Sequence, residues 1–225
     1  MIPVQLAKEP PAFDKKVREP GNRAIAEMVG KQSSFPRVRG KPYKKIANCE
    51  KDIPPNKFPP LWKHALPDML IAYEHRCAYL AMHIHNATGN PSVDHVVPKS
   101  RAWELVYEWD NYRLCAQIIN SLKGNLETLV DPTIIGPLWF QLNLITFHVE
   151  IGNGADPSHF ARIEATLPIL NHRLCVAERE EYVHNYRLGP GNGGIDLAYL
   201  EKNAPFIASE LRRQDQLQLV RNETS

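Results

Sequence analysis

Two blocks decide how this chain is read: Ser92-Val93-Asp94-His95-Val96-Val97-Pro98-Lys99-Ser100, and Trp109-Asp110-Asn111-Tyr112-Arg113-Leu114-Cys115-Ala116-Gln117-Ile118-Ile119-Asn120-Ser121-Leu122-Lys123-Gly124. Asp94 and His95 lie among Val93, Val96 and Val97, a β-branched run that reads as the end of a short strand stopped by Pro98. Tyr112-Arg113-Leu114 supplies an antiparallel partner. From about Cys115 the pattern turns helical, and Gly124 suits a C-terminal cap. On that helix Cys115, Ile118 and Leu122 share a face expected to pack inward, while Gln117, Asn120 and Lys123 share another by three-residue spacing. A strand–loop–strand–helix unit of this kind aims Asn120 and Lys123 at the strand end carrying Asp94 and His95.

Those residue types suit phosphodiester hydrolysis. A hard cation such as Mg²⁺ or Mn²⁺ takes oxygen ligands, which the Asp94 carboxylate and the Asn120 carboxamide supply while water fills the other positions. His95, neutral near pH 7, is the candidate general base toward an attacking water. The cation acts as Lewis acid and template at the phosphate. Lys99, Arg113 and Lys123 are candidates for holding flanking phosphates.

The two blocks together resemble the ββα-metal, or HNH, nuclease motif: Asp-His or His-His, then hydrophobic-x-Pro, an Asn farther on, and Asn or His nine residues later in a helix. Val93-Asp94-His95-Val96-Val97-Pro98 and Asn111 with Asn120 fit that arrangement. They are similar to the His-Asn-Asn version in the HNH domain of RNA-guided CRISPR effector nucleases. The resemblance implies a Mg²⁺-dependent endonuclease in which Asp94 and Asn120 bind metal and His95 activates water. It also gives Asn111 the task of pinning the loop between the strands.

A weaker resemblance reaches farther. The opening Met-Ile-Pro, Cys77-Ala78-Tyr79 and then the Asp-His block are similar to small HNH proteins of Septu-type antiphage systems and some retrons, which act beside an ATPase. That implies antiphage defence and an ATPase partner. In that group two cysteine pairs often form a zinc knuckle. Here Cys77-Ala78-Tyr79-Leu80 and Cys115-Ala116-Gln117-Ile118 each keep one cysteine. Two thiolates do not close a tetrahedral site, and His83 and His85 point apart on a helix, so structural Zn²⁺ is not expected. Cys77 and Cys115 are expected to fill the core, and all four cysteines to be reduced.

Working outward, residues 66–84 carry Leu66, Met69, Leu70, Tyr73, Cys77, Leu80, Ala81 and Ile84 at helical spacing behind Pro67-Asp68, which predicts one helix. The first sixty residues hold ten of the nineteen prolines and read as an extended arm with a short helix near 21–29. Residues 15–45 carry ten Lys or Arg against Glu19 and Glu27. That segment is +8, which leaves −6 on the rest of a chain whose net charge is +2. Such a segment fits a polyanion partner, or a solvated arm against an acidic surface. Beyond Asp131-Pro132, helices are predicted near 135–147, 158–170, 173–187 and 196–213. The run Gly189-Pro190-Gly191-Asn192-Gly193-Gly194 satisfies GxGxxG, but it follows a helical pattern and reads as a loop.

The expected fold is α+β and mostly helical. A ββα-metal hairpin-plus-helix core (61–131) is set between an extended basic Pro-rich arm (1–60) and a C-terminal helical region (132–225). The 43% hydrophobic and 23% charged fractions suit an ordinary globular chain. No stretch approaches the roughly 18–20 apolar residues of a membrane span, and the first residues lack a signal-peptide pattern. The expected setting is cytoplasmic with no membrane partner. The favoured substrate is DNA. An RNA such as tRNA remains open, because nothing in the motif reads a 2′-hydroxyl. So does a catalytically silent module whose C-terminal helices dock a partner or a second copy.

Overall fold

In the computed structural model, residues 1–37, 39–124, 126 and 129–217 are described. The chain forms two compact units that interleave in sequence: Gln5–His75 with Ile84–Glu127, and Met1–Val4 with Arg76–His83 and Thr128–Ser225. A linear division into 1–60, 61–131 and 132–225 does not anticipate this interleaving. Backbone pairing accounts for it within the second unit: Val4 N–H donates to Pro132 O at 3.0 Å and His83 N–H to Asn203 O at 2.7 Å. Among the described residues the architecture is mixed helix and strand, with two small antiparallel sheets. Among the described residues no helix is long and apolar enough to cross a membrane.

The first unit holds the decisive blocks. Strand β1 (Pro91–His95) pairs antiparallel with β2 (Tyr112–Ala116), in a register that sets Asp94 opposite Arg113 and His95 opposite Tyr112. A helix, Gln117–Lys123, follows β2 without a linker and ends at Gly124, whose φ is +52° and whose N–H donates to Asn120 O. The inward face of this helix differs from the expected one. Ile119 is buried, Leu122 is exposed, and Lys123 is only 2% exposed. Residues 119 and 123 are four apart and point the same way, so the face is shifted by one residue from the Ile118–Leu122 stripe.

Of the expected extended arm, residues 13–29 are instead helical and part of this unit's core, Met1–Val4 belongs to the other unit, and residues 39–46 are irregular and exposed. A π-helical turn (Asp14–Arg18) runs directly into α1 (Glu19–Val29), and Phe13, Val17, Ala24, Ile25 and Met28 are buried. Pro20 has no N–H to donate, and the wider π turn just before it, in which Glu19 N–H bonds Asp14 O, lets the helical path continue through it. Phe13 packs edge-on against Trp109 and Tyr112, with ring centroids 5.5 and 5.9 Å apart. Buried aromatics also bond proline-rich backbone that has no sheet partner. Trp109 Nε1 donates to Ala7 O at 2.7 Å, and the Tyr107 hydroxyl to Pro59 O at 2.9 Å. Gly21 is required here, since a Cβ would sit 2.2 Å from the Tyr107 ring.

The helix expected over 66–84 is only α2 (Leu66–Ala72). His75 N–H closes on Leu70 O, and Glu74 and His75 adopt φ of 51° and 58°, which ends the helix. Residues 77–82 form a tight turn in which Leu80 N–H approaches Cys77 Sγ at 3.5 Å. All four cysteines are reduced.

In the other unit β3 (Phe140–Leu142) pairs with β4 (Val149–Ile151) where a helix over 135–147 was expected. Phe140 and Leu142 alternate inward around exposed-side Gln141, a strand's period of two. Helices Phe160–Leu170 and Arg173–Leu188 fall close to the expected positions. The last predicted helix is two, Leu197–Asn203 and Pro205–Arg213. Pro205 cannot extend the first, and Ala204 leaves the helical region. Residues 190–192 form a single 3₁₀ turn in the glycine run. Residues 218–225 of the expected C-terminal region lie outside the described residues.

Candidate functional site

Asp94, His95 and Asn120 line one cleft of about 270 Å³, together with Trp62, Val93, Pro98, Lys99, Gln117, Ser121 and Gly124. The hairpin register delivers the first pair to the strand end. The absence of a linker between β2 and the helix brings Asn120 back over β1, where its Nδ2 donates to Ser92 Oγ at 2.6 Å and Val93 O at 3.3 Å. The carboxamide is thereby oriented through its nitrogen. Its oxygen makes no hydrogen bond to the described residues and is left as the acceptor side of the group.

His95 is oriented in the same way. Its ring is buried, and Nε2 lies 3.0 Å from Val106 O, which also accepts from the Tyr112 hydroxyl at 2.8 Å. A carbonyl can only accept, so Nε2 carries the proton and Nδ1 is the lone-pair nitrogen. Nδ1 makes no hydrogen bond to the described residues. Trp62 and Tyr112 meet the ring edge-on at 4.9 and 5.1 Å. Burial, aided by the fields of Lys99 and Lys123, lowers the imidazole pKa from 6.5 to about 3. The ring is neutral at pH 7.

Asp94 is buried and ion-paired. Lys123 Nζ lies 2.7 Å from Asp94 Oδ2 and also donates to His95 O at 2.6 Å. Lys123 is thus behind the carboxylate and inside the fold, not on a phosphate-facing surface. Its long apolar stem lets it bury along the helix while the ammonium reaches three backbone or carboxylate oxygens. Arg113 is also buried, at 4% exposure, and its Nη1 donates to Asp110 O and Tyr112 O. The expected phosphate contact is therefore not open to either residue in this arrangement.

Lys99 is the cation that reaches the cleft. Its Nζ stands 4.1 Å from the centroid of the Trp62 ring, and partial burial lowers its pKa. Asn111 lies away from the cleft lining. Its Oδ1 accepts from Val97 N–H at 2.8 Å, and its Nδ2 donates to Val97 O and Leu105 O at 3.1 Å, which ties the loop between the strands.

Trp62 is the cleft residue that sequence reasoning missed. It lies in a 3₁₀ stretch (Leu61–Ala65) that packs on β1, thirty residues before the motif. No local pattern links Leu61-Trp62-Lys63 to the Asp-His block, so only the tertiary fold reveals it. Gln117 lines the cleft from the helix face that it shares with Asn120, as the three-residue spacing predicts, and Ser121, the residue after Asn120, lines it without having been singled out.

Two oxygen donors beside open volume fit a hydrated hard cation that keeps several waters, the usual habit of Mg²⁺. They do not fit Zn²⁺, which wants a closed set of soft ligands. Among the described residues no group of three or more His, Cys, Asp and Glu side chains converges on one point. No family model matches the chain, and no curated protein matches it.

Proposed function

We propose that this chain is a metal-dependent endonuclease of the ββα-metal type that hydrolyses phosphodiester bonds in DNA. The observation that carries the reading is the shared cleft. A carboxylate, an imidazole with its accepting nitrogen unengaged and a carboxamide with its oxygen unengaged line one small volume beside a lysine.

Asp94 and Asn120 would hold a divalent cation, which when bound supplies Lewis-acid stabilisation of charge on the phosphate. The chain's own groups do the rest. His95 Nδ1 takes the proton of an attacking water, while Nε2–H remains on Val106 O and steadies the imidazolium that forms. The ammonium of Lys99, propped on Trp62, attracts the substrate phosphate. Asn111 keeps the 97–105 loop against the hairpin, so that Pro98 and Lys99 stay at the cleft wall.

The test is nicking of supercoiled plasmid in Mg²⁺ or Mn²⁺, with duplex DNA, single-stranded DNA and structured RNA compared side by side. Loss of nicking in His95→Ala and Asn120→Ala, with circular dichroism unchanged, supports the reading. Robust cleavage by His95→Ala removes it, and cleavage of the RNA alone moves the chemistry to RNA. The same proposal places the activity in antiphage defence beside an ATPase, which co-purification checks.

One observation favours a second reading, a catalytically silent module: Asp94 already has a buried cation beside it. Calorimetry decides between them. Absence of Mn²⁺ binding by the wild type favours the silent module.

A further inference from the structure

The end of α1 and the loop after it are fastened together by one carboxylate. Glu27 accepts from Arg37 Nε at 2.9 Å and from the backbone N–H of Tyr43 at 2.8 Å. The Arg37 bond also holds the Glu27 carboxyl below its usual range. Ile46 and Ala47 N–H both donate to Met28 O, and Arg23 Nη1 donates to Pro36 O. The loop is thus tied to the helix near both of its ends.

The cations of this region fall into two groups. Arg18, Lys31 and Arg37 pair with Glu9, Asp14, Glu27, Glu50 and Glu108, and Arg23 caps a carbonyl. Arg39, Lys41, Lys44 and Lys45 are exposed and make no ion pair to the described residues. No Asp or Glu occurs between Glu27 and Glu50. Tyr43 and Ile46, 41% and 46% exposed, stand among these four charges.

We propose that residues 39–46 are a docking surface for the phosphodiester backbone of a nucleic acid. Four like charges repel along a stretch whose contour is about 20 Å, and the bonds to Glu27 and Met28 hold them together against that repulsion. A polyanion relieves the repulsion and gains counterion entropy as its condensed cations are released. The choice of nucleic acid rests on the nuclease reading of the cleft, which lies in the same unit. The α1 helix continues from the Asp14–Arg18 turn, and that turn packs on the Leu61–Ala65 segment carrying Trp62 into the cleft wall. Tyr43 offers an aromatic face beside the cations, as single-strand and flanking-base contacts use.

The full chain carrying His95→Ala, in EDTA, is titrated with a fluorescent DNA duplex over a range of salt, with and without R39S/K41S/K44S/K45S. The four substitutions weaken binding by about 10²–10³-fold near 0.1 M salt and reduce the salt slope by about 3–4, as loss of three or four phosphate contacts requires. Unchanged affinity and slope overturn the proposal. So does a wild-type chain that binds phosphatidylserine-rich vesicles but not the duplex. Binding through these residues without any Mg²⁺-dependent nicking leaves the docking surface standing and removes the nuclease reading. Undiminished binding and nicking by the quadruple variant of the otherwise wild-type chain do the reverse.

Discussion

Both units bury a cation, and the two cations live differently. In the C-terminal unit Arg179 is 1% exposed and donates to Phe147 O, Leu170 O and Asn171 Oδ1, three acceptors that belong to turns and helix ends. Burial lowers its pKa to about 10, which still leaves it charged at pH 7. Its work is complete within the fold. In the hairpin unit Lys123 is as deeply buried, but it neutralises a carboxylate that lines a cleft. Asn120 and His95 beside it are each committed to the protein through one nitrogen only. A fold has no stability reason to orient two polar groups and leave their acceptor atoms unengaged. That difference separates a structural polar cluster from a candidate site.

The comparison breaks most visibly in activity. His95→Ala is expected to reduce Mg²⁺-dependent plasmid nicking by about 10³-fold or more, the upper range for a general base, whereas Arg179→Met leaves per-molecule nicking intact at a temperature where the variant is folded. Equal losses in the two variants dissolve the distinction.

Stability sharpens it next. Lys123→Met removes the ammonium bonded to the buried Asp94 carboxylate, and chemical denaturation in EDTA should show a loss of about 3–5 kcal/mol. Excess Mn²⁺ should restore part of that loss, because a cation at Asp94 replaces the missing charge. Arg179→Met leaves carbonyl acceptors unmatched and should cost about 1–3 kcal/mol, with no recovery in Mn²⁺. Recovery of both, or of neither, contradicts the contrast.

The third contrast is in pH dependence. His95 binds a proton only near pH 3 when folded, against 6.5 when unfolded, so between those values the unfolded chain holds more protons. The stability of the metal-free protein therefore falls on acidification below pH 6.5, with this residue supplying up to about 1.4 kcal/mol per pH unit. In His95→Gln that share is absent, so the two stability profiles should run parallel above pH 6.5 and diverge in slope below it. Parallel profiles from pH 6.5 down to 4 contradict a buried neutral imidazole.

The hairpin and its helix were legible because their signals are local. Val93 marks the strand, which ends at His95 rather than running on through Val96 and Val97 to Pro98, and Gly124 caps the helix with a positive φ. Asp94, His95 and Asn120 meet at the cleft because a two-strand unit running straight into a helix admits few geometries. The C-terminal helices at 160–170 and 173–188 were equally local. Where the reading failed, the deciding term was long-range. Residues 135–147 have apolar spacing that either a helix or a short strand satisfies, and pairing with Val149–Ile151 selects the strand. Phe13 and Val17 look like arm residues until Trp109 and Tyr112, about a hundred residues on, cover Phe13.

By itself, then, the order of residues determined which side chains share the hairpin and where it stops, since strand period, proline and glycine act over a few bonds. Only the folded chain decided that Lys123 is buried in an ion pair with Asp94 instead of open to a phosphate, that Trp62 props Lys99, and that the basic segment is tied down at Glu27. Those outcomes depend on which buried charge finds a partner, a competition settled by groups far apart in sequence.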